Sequence, residues 1–538
     1  MDTQENVKQV ETTKSTEQQT PQVLPPQSEQ QLLSPAQKFA QEQQRKREAE
    51  RKKGAEYGAI FLLPFFIYSI ISTFLMYDNF AGILVPVETV LTVGMIGFVL
   101  KKKNLPLKAK SIPLMLVMLL LGISCTLTTS TMIFWNHVVS FCILILFLLE
   151  NFCETKTWEF SNYIREFFTT IGKSISNMMD VYSDTVSYAK SPKKKEATTK
   201  TYIGIGVLIC IPLLLVVLAL LASADAVFKT GLEAIIPEEI TFDFVCGVIL
   251  FFLAVMMFSY AGMKYFYYRT TDVAGNEIVK KEPLVGITIL IPMLLVYGIF
   301  CGIQVYYLFL GNGVLPEGYT YAKYAREGFF ELLAVSFINL VLILLFQWLF
   351  KESNILKVLL LLTSVATYVM GTSSAYRMVL YVKAYNLSKM RLFVLWALIL
   401  LGIFMLGMMA KIFFKRFPLF TYGLYVFCVC FLVISFARPD YQVAKYNLNN
   451  VNAENRLDKH YISYELSMDA APVIAEYVKE KPSEETIQMV ENYKSAVGLT
   501  EWIDYDYEKE KDIYEDTKAP SWRKFNFSDY FARKAFEQ

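Results

Sequence analysis

Cysteine and histidine are scarce in this sequence, and the common catalytic motifs are absent from it. Its 538 residues include eight cysteines and two histidines. The cysteines lie in or beside apolar runs and form no CxxC pair, which argues against a disulfide framework. His137 and His460 cannot form a metal site by themselves, so neither a metal nor another cofactor is expected. The sequence has no GxxxxGK[ST], HExxH or GxGxxG motif, which argues against an ATPase, a zinc protease and a Rossmann oxidoreductase.

Charged residues are also few. They make up 19% of the chain, whereas hydrophobic residues make up 54%; an average soluble protein has about 25% charged residues. The charges cluster between apolar runs of about twenty residues, the length that a helix needs to cross a bilayer. The formal net charge is +2, so no overall field attracts nucleic acid. The sequence therefore predicts an all-α, polytopic transmembrane bundle whose main partner is the lipid bilayer.

Eleven apolar runs are candidate membrane spans. They cover residues 57–77, 80–100, 111–129, 131–149, 201–222, 242–266, 284–309, 329–350, 355–376, 391–412 and 418–437. Lysine and arginine follow every second run, as at Lys101–Lys103, and such residues collect on the cytoplasmic side. We therefore expect a cell-membrane protein with a cytoplasmic N-terminus and an extracytoplasmic C-terminus. The run 355–376 is rich in serine and threonine, so whether it crosses fully stays open.

The runs divide the chain into five parts. Residues 1–56 are rich in glutamine and glutamate, which predicts a disordered, charged cytoplasmic tail. Residues 57–149 hold spans one to four, and residues 201–437 hold spans five to eleven. Between them, residues 150–200 show apolar residues at helical spacing. This pattern predicts an amphipathic cytoplasmic segment, either on the membrane surface or packed on the bundle. Residues 438–538 predict a small extracytoplasmic helical segment docked on the bundle.

Polar residues inside the apolar runs are expensive to bury in lipid, so their depth is informative. By position, Glu88, Asn136, His137 and Gln304 lie toward the extracytoplasmic end of their runs, and Asn339 lies near the middle. This skew favours a polar cluster or cavity that opens to the outside. The alternative is that these polar residues lie at helix ends that are exposed to water.

Four charged stretches stand at the expected outer rim, at residues 223–228, 321–332, 376–391 and 438–447. Their candidate binding or structural residues are Asp225, Arg326, Glu327, Glu331, Arg377, Arg391, Arg438 and Asp440. In this order the stretches resemble a bacterial membrane family catalogued as domain of unknown function 4173, related to domain of unknown function 4153. The resemblance covers about residues 200–450, and Trp522 to Asn526 is similar too. It implies a multi-pass topology and no established activity.

The sequence departs from that family in two places. Ala226 stands where the family more often has proline, and a long glutamine-rich tail precedes the first run. Neither departure changes the resemblance.

Asp225 is expected at the end of a helix, where the macrodipole disfavours an anion. Its side chain either caps the following turn or pairs with Arg326, Arg377 or Arg438, which we place at the same depth. Such an ion pair would fix the helices to one another rather than add much stability.

Glu327 and Glu331 are four residues apart and therefore share one helix face. They could neutralise the basic loop 377–391, hold a cation or a proton, or act as paired acids. No nucleophile or metal set accompanies them in the sequence, so no catalytic residue is assigned.

Three functions stay open. The first is a non-enzymatic envelope component, with a binding or regulatory role, whose outer polar cluster takes a ligand or a membrane protein partner. The second is a transporter of an ion or small solute, which tends to place its site at mid-membrane. The third is a membrane transferase acting on a lipid-linked substrate. One continuous cavity lined by Glu88, Gln304 and Asn339 would favour transport, whereas a closed charged network beneath the C-terminal segment would favour binding.

Overall fold

A computed structural model describes most of the chain. The described residues are 35–155, 158, 160–189, 242–269, 280–306, 328–414, 416–451, 457–506, 511–516 and 521–537, with six positions between 214 and 225. The predictions for Arg326, Glu327, most of the run 201–222 and the first 34 residues lie outside the described residues.

The described part of the chain is helical except for one pair of strands. The helices of the first half are α1 (Pro35–Met76), α2 (Val85–Lys102), α3 (Ile112–Leu127), α4 (Met132–Phe152), α5 (Phe160–Ser176), α6 (Asp180–Ala189) and α7 (Phe242–Tyr268). The long helices that follow are α8 (Pro283–Gln304), α9 (Phe329–Leu349), α10 (Asn354–Tyr385), α11 (Lys389–Phe413) and α12 (Leu419–Phe436). The C-terminal elements are α13 (Pro439–Asn449), α14 (Lys459–Tyr464), α15 (Ala471–Glu480), α16 (Glu484–Ala496), β1 (Thr500–Asp506), β2 (Lys511–Asp516) and α17 (Phe527–Glu537).

The apolar runs coincide with helices wherever the structure describes them. Nine of the described helices are long and apolar enough to cross a membrane. The helix α2 matches a further run, although Glu88, Lys101 and Lys102 make it more charged. The helix α10, which contains the doubtful run 355–376, is continuous over 32 residues, or about 48 Å at 1.5 Å per residue. The predicted all-α polytopic bundle is confirmed.

One connection is much shorter than the sequence suggested. Residues 377–390 were expected to form a loop, but α10 continues to Tyr385 and only residues 386–388 separate it from α11. The expectation was wrong because it ended the helix at the first charge, Arg377, although the next eight residues contain no helix breaker. The helix ends at Tyr385, and the following Asn386 has a φ of 67° and a ψ of 170°, a strained backbone conformation for a non-glycine residue.

The long helices form two groups. The first group is α1 to α4 with α7 and α12, around buried residues such as Phe61, Leu121 and Tyr260. The second group is α8 to α11, around residues such as Leu290 and Met408. The helix α12 packs against both α3 and α11 and thereby connects the groups.

The bundle exposes an extensive apolar surface. On α8, for example, Leu284, Leu295 and Ile299 are each at least two-thirds exposed. A soluble monomer rarely exposes contiguous apolar surface on this scale. The chain is therefore a multi-pass integral membrane protein.

The two ends of the bundle differ. At one end, which we call the capped end, the described residues between 439 and 537 include a segment that packs over the ends of α9, α10 and α11, where Val443, Ile474 and Tyr493 are fully buried. Within this segment β1 and β2 form an antiparallel ribbon, from Thr500 opposite Asp516 to Asp506 opposite Lys511. The ribbon is an addition to the helical segment that the sequence predicted.

The opposite end, which we call the basic end, carries the α2–α3 connection and the helices α5 and α6. Both of these helices pack against α7 through buried ion pairs. Glu166 contacts Arg269 at 2.5 Å, and Lys264 contacts Asp184 at 2.7 Å. Burial raises the pKa of the Asp184 carboxyl, and its hydrogen bond from Lys264 opposes that shift. The described part of the predicted amphipathic segment thus contacts the bundle through these buried charges as well as through Phe167 and Ile171.

We predict that Glu166→Ala destabilises the protein by about 3–5 kcal/mol, because Arg269 would stay buried without its partner carboxylate. Thermal unfolding of the purified full chain in detergent micelles measures the loss. Arg165→Ala is the matched control, since Arg165 contacts the same carboxylate but is 44% exposed, and it should cost no more than about 1 kcal/mol. Equal losses in the two variants would contradict a special role for the buried pair.

Candidate functional site

The capped end is held together by the carboxylate of Asp469, which is fully buried. The Thr128 hydroxyl donates to its Oδ2 at 2.5 Å, and the Thr129 backbone N–H donates to its Oδ1 at 3.2 Å. The Ser528 hydroxyl donates to the same Oδ1, and the Arg438 guanidinium lies 3.6 Å from it. A buried charge needs such partners to be tolerated. The carboxylate therefore joins the α3–α4 turn, the start of α13 and the start of α17.

The chain end around Asn526 attaches to the first helix group. The buried Asn526 amide donates to the backbone carbonyls of Cys125 and Thr128, each at 3.0 Å, and to that of Ala81. Arg523 donates to the carbonyl of Phe74 at 2.9 Å. Residues 521–537 are thus fixed both to the α1–α2 connection and to the α3–α4 turn.

Asp440 is a second buried carboxylate at this end. The Ser467 backbone N–H donates to its Oδ2 at 2.9 Å, and the Lys389 ammonium lies 3.8 Å from its Oδ1. Burial raises the pKa of the Asp440 carboxyl, while Lys389 and the hydrogen bonds with Ser467 act in the opposite direction. The weak contact with Lys389 does not fully offset the lost hydration.

Arg438 and Pro439 determine how the chain turns from α12 into α13. Arg438 adopts a left-handed φ of 52°, which costs a non-glycine residue about 1–2 kcal/mol. Pro439 follows at the start of α13, where its fixed φ is favourable. The strained turn directs the Arg438 guanidinium toward Asp469 and the Asp440 side chain toward Ser467.

Arg377 belongs to a separate contact in the second helix group. It is buried, and its guanidinium lies 3.5 Å from Oε1 of Gln304, which also accepts a 2.7 Å hydrogen bond from Ser373. A Cβ on Gly328 would stand 2.9 Å from the Arg377 Nη1, and Gly328 has a φ of 80°. Residue 328 therefore favours glycine for two reasons: its φ is positive, and a Cβ would be too close to the Arg377 guanidinium. Two of the four predicted stretches meet at this point.

The other predicted charged residues take different positions. Arg391 donates to the carbonyls of Tyr385 and Asn386 and so closes the end of α10. Glu331, in the first turn of α9, is exposed and forms no ion pair with any described residue. Asp225 is exposed, and its backbone N–H donates to Leu221 at 3.1 Å. The structure thus unites Arg438 and Asp440 in one network but places Arg377 and Arg391 in others.

Glu88 connects α1 to α2. Tyr68 and Ser72 of α1 donate to its Oε1 at 3.1 and 2.8 Å, and Thr92 donates to the same oxygen at 3.2 Å. In the part of the chain that is described, its buried Oε2 has no hydrogen-bond partner.

Asn136 and Asn339 form hydrogen bonds between other helices. Asn136 accepts from Ser435 of α12 at 2.8 Å and donates to Ser124 of α3 at 3.3 Å. Asn339 accepts from Tyr297 of α8 at 2.8 Å and donates to Thr367 of α10 at 3.0 Å. The half-buried His137 ring lies 2.8 Å from the carbonyl of Phe80. None of the hydrogen bonds described here joins Glu88 to Gln304 or Asn339.

The sequence alone did not indicate three residues of this network, Asp469, Ser528 and Thr128. The pattern Ser467-Met468-Asp469 before Ala471 and Pro472 does indicate a helix start. A residue at such a position is usually exposed, however, and nothing local shows that Asp469 is buried. Its partners lie 59 and 341 positions away.

This arrangement fixes separate segments of the capped end to one another. The two buried carboxylates are occupied by hydrogen bonds and cations, and both are closed off from solvent. In the described residues, no group of three histidine, cysteine, aspartate or glutamate side chains is placed to hold a metal ion.

Comparison with known proteins gives one result. A family model described as Domain of unknown function (DUF4153) matches residues 115–477, about two thirds of the chain. No curated protein and no solved structure matches. The matched region contains Thr128, Asp440 and Asp469 but ends before Asn526 and Ser528.

We predict that Asp469→Ala loosens the attachment of α17. Its removal leaves the buried donors of Thr128, Thr129 and Ser528 unpaired, each at a cost of about 1–3 kcal/mol. Hydrogen exchange of the α17 backbone amides in the full chain should accelerate more than tenfold. Asp458→Ala removes a carboxylate that caps α14 and should cost about 1 kcal/mol without affecting α17. Unchanged exchange in α17 would contradict the role given to Asp469.

The raised pKa of Asp440 predicts a pH dependence of stability. Because the folded protein favours the protonated form, this stabilising contribution is fully present below the ordinary aspartate value of about 3.9 and is lost as the pH rises through the raised pKa. Asp440→Asn removes the titration. The melting temperature of this variant minus that of the unchanged protein should therefore increase from pH 4 to pH 7. Asp458→Asn, at an exposed position, is the control, and a constant difference for Asp440→Asn would refute the assignment.

Proposed function

The chain belongs to the DUF4153 family, and from that premise we propose that it is a non-enzymatic binding component of a bacterial cell envelope. Its capped end faces the outside, and its N-terminal tail lies in the cytoplasm. The partner is a second envelope protein that binds an exposed aromatic surface on the C-terminal segment. The observation that carries the proposal is the firm attachment of this segment through Asp469 and Asn526.

The aromatic surface consists of Trp522, Phe527, Tyr530 and Phe531. Each of these side chains is between about one-third and two-thirds exposed, and Trp522 is 69% exposed. Aromatic residues are enriched in the centres of protein interfaces. Because α17 is fixed through Ser528, a partner would meet a preorganised surface and lose less entropy on binding.

The charges around this surface favour a protein over anionic lipid. Lys524 pairs with Asp78, and Arg533 pairs with Asp529 at 3.0 Å. These two ion pairs reduce the attraction for phosphate headgroups. An apolar patch on a protein partner therefore suits the surface better.

Transport has weaker support. Glu88 is tied to α1 and α2, whereas Gln304 and Asn339 are tied to α10. These polar residues therefore serve different helix contacts. A transferase has weaker support still, since Glu331 is the one exposed acid at the start of α9 and no serine or cysteine nucleophile is described in contact with it.

A photo-crosslinking amino acid tests the proposal. Placed at Phe531 in the full chain in cells, it should give an adduct with one polypeptide of defined mass, and Trp522→Ser should reduce that adduct several-fold. The control position is Tyr464, which is 52% exposed on α14 of the same segment and should not give this adduct. Adducts with lipid alone, or equal protein adducts from both positions, would contradict the proposal.

A further inference from the structure

A cleft lies at the basic end, between α2, the α2–α3 connection and α4. Its volume is about 500 Å³, within the range of small-molecule sites. Apolar side chains form most of its wall, including Val93, Leu100, Leu105 and Phe147, and Lys101 completes it. The cleft thus combines an apolar interior with a cation.

The connection beside the cleft is strongly basic. Residues 101–110 contain five lysines and no acidic residue. Two of the five serve the fold, because Lys103 donates to the carbonyl of Phe266 at 2.9 Å and Lys108 donates to that of Cys153 at 2.6 Å. The other three, Lys101, Lys102 and Lys110, are exposed.

These three lysines differ from Lys264 and Arg269 of the same end. Lys264 and Arg269 are matched by carboxylates at 2.5–2.9 Å. By contrast, Lys101, Lys102 and Lys110 lie within 4 Å of no acidic side chain in the described residues, and Lys102 contacts only the ring of Phe98. Lys264 and Arg269 are therefore neutralised, whereas Lys101, Lys102 and Lys110 leave a positive charge beside the apolar cleft.

We propose that this cleft binds an anionic phospholipid, with the phosphate on Lys101, Lys102 and Lys110 and an acyl chain along the apolar wall. Each lysine near a membrane surface strengthens binding of an anionic lipid by roughly fivefold. The apolar wall adds selectivity for a chain-bearing anion over free phosphate. The site is independent of the aromatic surface at the capped end.

Gly97 provides a direct way to fill the cleft. It lines the cleft, and a Cβ placed on it would meet no atom within 4 Å. Gly94, one turn earlier on α2, is equally open but is not part of the lining. Gly97→Phe therefore occupies the cleft, and Gly94→Phe is its matched control.

Native mass spectrometry of the full chain tests the proposal. The protein is released from micelles that contain either phosphatidylglycerol or phosphatidylcholine of equal chain length. Phosphatidylglycerol should bind at least tenfold more tightly. Lys101→Gln should weaken this binding roughly fivefold, and the triple variant with Lys102→Gln and Lys110→Gln should weaken it further. Gly97→Phe should also reduce binding, and Gly94→Phe should not.

The charge control is a triple glutamine variant at the exposed lysines Lys383, Lys445 and Lys479, which should bind phosphatidylglycerol normally. Three results would overturn the proposal: equal binding of the two lipids, equal loss in the control triple variant, or no loss in Gly97→Phe. Inorganic phosphate added in excess should not displace the lipid, and displacement would assign the site to free phosphate instead.

Discussion

The buried carboxylate of Asp469 is the interaction on which the capped end depends. An ionised side chain removed from water is tolerated only when it is surrounded by donors and cations. Here those groups come from Thr128, Ser528 and Arg438, which belong to three separate segments. The Asp469 carboxylate has its full set of partners only when all three segments are in place. The C-terminal segment, which also buries apolar residues over α9 to α11, thereby joins the two helix groups.

The aromatic surface and the cleft differ in whether the positive charges beside them are paired with carboxylates. At the capped end, Lys524 pairs with Asp78 and Arg533 with Asp529. At the basic end, buried ion pairs hold α5 and α6 to α7, while Lys101 and its exposed neighbours stand beside an apolar cleft. Opposite charges in contact leave little external field. The aromatic surface is therefore suited to uncharged contacts and the cleft to anions.

The helices could be predicted from the sequence because length and hydropathy are local properties. Asn136 and Asn339, which lie inside apolar runs, are both buried and hydrogen-bonded to neighbouring helices. The candidate site was predicted only in part. Arg438 and Asp440 were identified from their position, but Asp469 was not, because its burial depends on distant residues. The length of α10 was missed because a charge such as Arg377 does not end a helix.

The hydrogen bond between Asn79 and Arg523 joins positions that are 444 residues apart. A ribosome makes the α1–α2 connection long before it reaches this partner. The carbonyl groups that the chain end later covers, such as those of Cys125 and Thr128, must until then be hydrated. These contacts thus form only after the helices between Asn79 and Arg523 have been synthesised. A covered rim therefore requires that synthesis has passed Asn526.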